Sequence, residues 1–171
     1  QVVFAGYGWY NEETKYNDTK DLDLKDKIVL VMTRTLEQAK EGTAPDMDTE
    51  MKKMSRAMMG GAKALILVND PMNPDTEYIE NIRKYATGGS LKLKGAKNGL
   101  IIPIRLIFGN DELADKMLEE SEKTLAGLQQ EINSSESPKS FAINKLTSEI
   151  QLVKSTQSIV GKNVIALLEG S

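Results

Sequence analysis

The sequence predicts a mixed fold of the α+β class, and three observations carry that reading. Residues 28–68 read as strand, helix, strand. Helical periodicity follows Asn110, after a further strand at Leu100–Phe108, and strand-like alternation closes the chain after residue 138.

The elements follow in chain order. Val2-Val3-Phe4-Ala5 is a short apolar strand that runs into a turn at Gly6-Tyr7-Gly8. A polar stretch leads to Ile28-Val29-Leu30-Val31-Met32, β-branched and continuously apolar, as a strand buried on both faces requires. "KEGTAP" reads as a loop. Met47, Met51, Met54 and Met58 then fall at i, i+4, i+7 and i+11, one apolar stripe of a helix capped by Asp46 or Asp48 and stopped by Gly60-Gly61. The stripe is expected to be the core face of that helix, the other reading being an adaptable binding face. A third strand, Ala64 to Val68, ends at the breaker Asn69-Asp70-Pro71, and a helix of this length suits a crossover between parallel neighbours. Residues 72–99 read as a long polar excursion. Leu100 to Phe108 reads as a strand, and Pro103 places it at an edge or bulge. Asn110 caps a helix carrying Leu113, Met117 and Leu118, and a second helix carries Leu125, Leu128 and Ile132. Residues 133–138 read as a polar hinge. Alternation at Phe141/Ile143 and Ile150/Leu152 predicts a hairpin or meander leading to a last strand at Val164–Leu168. The domain core is therefore expected at 1–138, with C-terminal strands over 139–171.

Composition restricts the chemistry. The 171 residues contain no Cys and no His, so thiolate nucleophiles, Ser-His-Asp triads and His-bearing zinc sites are excluded within this chain. No serine is followed by Lys in a Ser-x-x-Lys pattern. Carboxylate chemistry remains. A net charge of −3 argues against nucleic acid as the main partner. No apolar run approaches the ~20 residues of a membrane span. Gln1 opens the chain without Met or a leader pattern, which reads as a trimmed start.

Few residues stand out as sites. Gly6-Tyr7-Gly8 lacks the third glycine of a dinucleotide loop and reads as a turn. Asp18, Asp21, Asp23 and Asp26 form one acidic cluster, and Asp46, Asp48 and Glu50 another. The second has the Asp-x-Asp start of a calcium loop, but Met51 stands where that loop needs Gly, and acids also suit a helix N-terminus. Nothing singles out a carboxylate pair of the glycosidase kind among 25 acids. Tyr7, Trp9 and Tyr10 are the candidate contact residues, since aromatics beside a loop supply area at low entropy cost; the other reading is a Trp packed over a strand end. Arg83, Lys84, Lys92, Lys94 and Lys97 read as a solvated loop.

The order of "VVFAGYG", "YNDTKDLDLKDKIVLV", "GGAKALILVNDP", "IIPIRLI", "ADKML", "SPKSFAI" and "NVIALLEGS" resembles the protease-associated domain of secreted zinc aminopeptidases of the glutamate carboxypeptidase and bacterial leucyl aminopeptidase type. Asp26 departs from the family, which usually has Gly in that tight turn, and the resemblance does not place the lysine-bearing stretch 72–99. The resemblance implies a swivelling β/β/α fold, a mixed β-barrel or sandwich with flanking helices. It also implies a secreted, periplasmic or cell-surface location. In such enzymes the zinc ligands follow the segment like "NVIALLEGS", so zinc would belong to the parent and no cofactor to this chain. Its role would be a non-catalytic accessory one beside the peptidase domain, shaping the access of peptide or protein substrates. A free-standing interaction or sorting module and a carboxylate-only hydrolase are the alternatives.

Overall fold

The computed structural model describes residues 1–87, 105–151 and 157–161. Its elements in chain order are β1 (Val2–Phe4), β2 (Ile28–Met32), α1 (Leu36–Glu41), α2 (Met47–Met59), β3 (Ala64–Val68), α3 (Thr76–Thr87), β4 (Arg105–Gly109), α4 (Asp111–Leu118), α5 (Leu125–Ser135) and β5 (Phe141–Ile143).

One five-stranded mixed sheet organises them, in the order β4-β3-β2-β1-β5. β1 to β4 run parallel, and β5 closes the far edge antiparallel to β1, with Phe141 opposite Phe4. β2 and β3 are buried at every residue, which explains their unbroken apolar sequences; β4, at an edge, is only half covered. Alternation splits the core in two. Phe4, Leu30, Met32, Ile66 and Val68 face Leu36, Ala114, Leu118, Leu125, Leu128 and Ile132, which belong to α1, α4 and α5. Val3, Val29, Val31, Leu65 and Leu67 face Met54 and Ala57 of α2. Helices therefore cover both faces. The α+β content expected from the sequence is present. Among the described residues the sheet is open.

Several expectations need correction. α1 takes in Lys40 and Glu41, the first two residues of the loop "KEGTAP", and is nucleated by a capping box: Thr35 Oγ1 accepts from Gln38 N–H at 3.2 Å, and Gln38 Oε1 accepts from Thr35 N–H at 2.9 Å. α3 occupies part of the supposed excursion, with the Asp75 carboxylate accepting from Tyr78 N–H at 2.9 Å. Asp46 does cap α2, but only half of the methionine stripe serves as its core face: Met54 is buried and Met58 packs against the same cluster. Met47 and Met51 are 41% and 40% exposed, and the helix instead turns Thr49, Glu50, Lys53, Met54 and Ala57 inward. Charges take interior places there because they pair with each other and with backbone groups of the sheet. The segment read as a hinge continues α5 to Ser135, and Ile150 lies in no strand. β4 begins at Arg105; Pro103, Leu152 and the Val164–Leu168 strand lie outside the described residues. Among the described residues no helix is long and apolar enough to cross a membrane.

Candidate functional site

In an open parallel sheet, crevices for ligands form beyond the carboxyl ends of the strands. Here that end carries Gly6-Tyr7-Gly8 after β1, Thr33-Arg34-Thr35 after β2 and Asn69-Asp70 after β3. Much of it is filled by the protein's own polar groups.

Arg34 is the centre. Its φ of 68° is left-handed, an uncommon state for a side-chain-bearing residue, and α2 holds it from both sides. Glu50 Oε1 accepts from Arg34 N–H at 2.8 Å, while Lys53 Nζ donates to the carbonyls of Arg34 and, at 2.9 Å, Met32. Lys53 and Glu50 form an ion pair at 3.0 Å. The Arg34 guanidinium donates to the carbonyls of Thr43 at 2.7 Å and Asn73 at 2.6 Å and lies 3.4 Å from Asp70 Oδ2. Asp70 Oδ1 also accepts from Gln129 Nε2 and from the N–H groups of Met72 and Asn73. Gln129 Nε2 reaches the Tyr7 hydroxyl at 3.1 Å, and that hydroxyl donates to Asn133 Oδ1 at 2.7 Å. Burial pushes the Glu50 carboxyl and the Tyr7 phenol above their ordinary pKa values and pulls the Lys53 ammonium below its own, with the Glu50–Lys53 attraction opposing the shift in both partners.

Asp18 forms the second buried acid. It accepts from the Tyr16 hydroxyl at 2.7 Å and from Trp9 N–H at 3.1 Å. Burial raises its pKa to about 6, against the opposing effect of those hydrogen bonds and of Lys53. Gly6 makes room for it: at φ 53°, a Cβ there would come within 2.4 Å of Asp18 Oδ1. The turn reading of Gly6-Tyr7-Gly8 therefore holds, with Gly8 N–H returning to the Ala5 carbonyl at 2.6 Å.

The three candidate contact residues separate. Tyr7 is fully buried and has no surface to offer a partner. Trp9 and Tyr10 are half-buried at the rim, where the Arg56 guanidinium of α2 lies over both rings, 5.4 and 4.8 Å from their centres. Arg56 makes no ion pair among the described residues. Sequence reasoning found the aromatics and missed the arginine, because neighbours from different elements leave no local pattern.

The acidic clusters disperse into separate tasks. Asp18 is buried as described, Asp23 pairs with Lys27 and Asp26 with Lys63. Asp46 caps α2, Asp48 pairs with Lys52, and Glu50 belongs to the Arg34 network. Among the described residues no group of three or more acids is placed to hold a metal ion. Asp18 and Glu50 are the two buried acids with raised pKa, but at 1% and 3% exposure neither faces a cleft. Of the basic stretch, Arg83 and Lys84 fall within α3, while Lys92, Lys94 and Lys97 lie outside the described residues. No known family, curated protein or solved structure matches the chain.

Proposed function

We propose that this chain is a non-catalytic recognition domain of the protease-associated type, bordering the peptidase domain of a secreted zinc aminopeptidase and steering its peptide or protein substrates. The observation that carries the recognition role is the rim cluster: two adjacent aromatic rings and a guanidinium, presented together beside a strand end whose interior charges are paired with one another. Aromatic and Arg side chains are the types that dominate binding energy at protein surfaces. The family part of the reading is supported by Asp26, which adopts φ 61°, the left-handed conformation suited to the Gly that the family has in this turn. The swivelling β/β/α architecture belongs to the same proposal, with further strands expected from residues 139–171.

In this reading the zinc, and the ligands that hold it, belong to sequence beyond Ser171. Bond cleavage belongs there too. The purified 171-residue chain, supplied with zinc, is expected to fold and to show no turnover of aminoacyl anilides. Zinc-dependent turnover that a chelator stops, and that a mock purification lacks, overturns the proposal. A reading frame that continues into a His-x-Asp pair with later Glu, Asp and His ligands supports it.

A further inference from the structure

Arg56 faces an open recess beside the aromatic pair. The recess has a volume of about 340 Å³ and is lined by Thr19, Leu22, Asp23, Leu24, Met59 and Gly60 together with Arg56. Three of these walls are aliphatic or thioether, and Met59 is 83% exposed. Trp9 and Tyr10 contact the guanidinium through their ring faces and provide no anion. Asp23, the one acid in the lining, lies beyond ion-pair distance of Arg56 and is engaged by Lys27 at 3.6 Å. A positioned guanidinium with no hydrogen-bond partner or ion pair among the described residues matches a carboxylate, which it binds through two parallel hydrogen bonds.

We infer that this recess binds an acidic peptide segment, with a Glu or Asp side chain on Arg56 and a neighbouring aliphatic side chain against Leu22, Leu24 and Met59. The inference rests on the recognition role proposed above and adds the class of ligand. A side-chain carboxylate fits better than a chain terminus, because the N–H groups of Gly60 and Gly61 at the recess already donate to Arg56 and Met58 carbonyls and form no nest for a terminal carboxylate.

The single Trp, Trp9, lies 5.4 Å from the Arg56 guanidinium, so its fluorescence reports on a ligand that engages that side chain, and calorimetry reads binding directly. The probes are acetyl-Ala-Leu-Glu-Ala-amide, its Gln counterpart, and acetyl-Ala-Ala-Leu as the free acid. The expected result is binding of the Glu peptide about tenfold tighter than the Gln peptide, the gain typical of a charge-assisted bidentate contact. Arg56→Ala removes that preference, Arg56→Lys reduces it, and Asp23→Asn tightens binding of the Glu peptide by easing like-charge repulsion. Equal affinity for the Glu and Gln peptides overturns the carboxylate assignment while leaving a recognition surface in place, as does a preference that survives Arg56→Ala. Tighter binding of the free-acid peptide overturns the side-chain assignment. If no peptide binds by calorimetry or changes Trp9 fluorescence, both the ligand class and the recognition role of this rim fall.

Discussion

Arg34 and Arg56 carry the same side chain into opposite surroundings. Arg34 is 4% exposed, bonded to two backbone carbonyls and paired with Asp70, and its own backbone is held by Glu50 and Lys53. Arg56 is half-buried and touches two aromatic rings but no acid among the described residues. The first arrangement ties β2, α2 and the loop after β3 together and commits the buried guanidinium to protein partners. The second costs the fold little and keeps its donors available. Position at a strand end therefore does not by itself make a site; what matters is whether the polar groups there are already spent on one another.

The largest expected effect breaks the buried side of that comparison. Lys53→Met removes the cation between Glu50 and the carbonyls of Met32 and Arg34, leaving a buried carboxylate without its partner. Stability to urea should fall by about 3–5 kcal/mol. Adding Glu50→Gln to the same chain should restore part of that loss, because a neutral amide is cheaper to bury than an unpaired charge and still accepts from Arg34 N–H. A Lys53→Met chain as stable as the parent would mean that the network holds nothing together.

A second effect, of up to about 3 kcal/mol, links the two regions through Asp18. This acid accepts from the Tyr16 hydroxyl and from Trp9 N–H at the rim, feels the charge of Lys53 in the network, and in turn raises the pKa values of the Tyr7 and Tyr16 phenols. Its folded pKa, about 6, lies above the ordinary 3.8, so the folded state keeps a proton that the unfolded chain gives up. The resulting stability is full below about pH 3.8 and is lost as pH rises through about 6. The chain contains no His, so no imidazole titrates in that window. Asp46, whose pKa is lowered by its capping hydrogen bonds, contributes in the opposite sense. The informative quantity is therefore the difference between the parent and Asp18→Asn in urea midpoint from pH 4 to pH 7. That difference should change with pH, and Trp9 emission should titrate near pH 6 in the parent only. Parallel profiles would remove Asp18 as the link.

The contrast between the regions also explains what the sequence made legible. Strands β2 and β3 announced themselves because burial on both faces demands unbroken apolar runs, and the caps Asp46 and Asn110 lie next to the helices they start. The core of α2 departs from the methionine periodicity for a physical reason: Glu50 and Lys53 are buried because they pair with each other and with backbone groups of Met32 and Arg34, which lie well before them in sequence. The Thr35–Gln38 capping box was available in the sequence and marks α1. At the rim, Trp9 and Tyr10 were visible as adjacent aromatics, but Tyr7, two residues earlier, is taken into the interior by Gln129 and Asn133 of α5, a pairing that no local pattern encodes.

The smallest expected effect on stability sharpens the exposed side. Arg56→Ala removes a cation resting on two half-exposed rings, an interaction worth about 0.5–1 kcal/mol at such a site. The loss in urea stability should stay within that range, several-fold below the effect of Lys53→Met. The same substitution uncovers the Trp9 ring, so its emission maximum should move to longer wavelength and iodide should quench it more efficiently. Both measurements are needed, because a purely structural arginine would give a large stability loss, and a merely solvated one would leave the Trp9 spectrum unchanged. A loss comparable to that of Lys53→Met would make Arg56 a second structural clasp and erase the distinction between the two arginines.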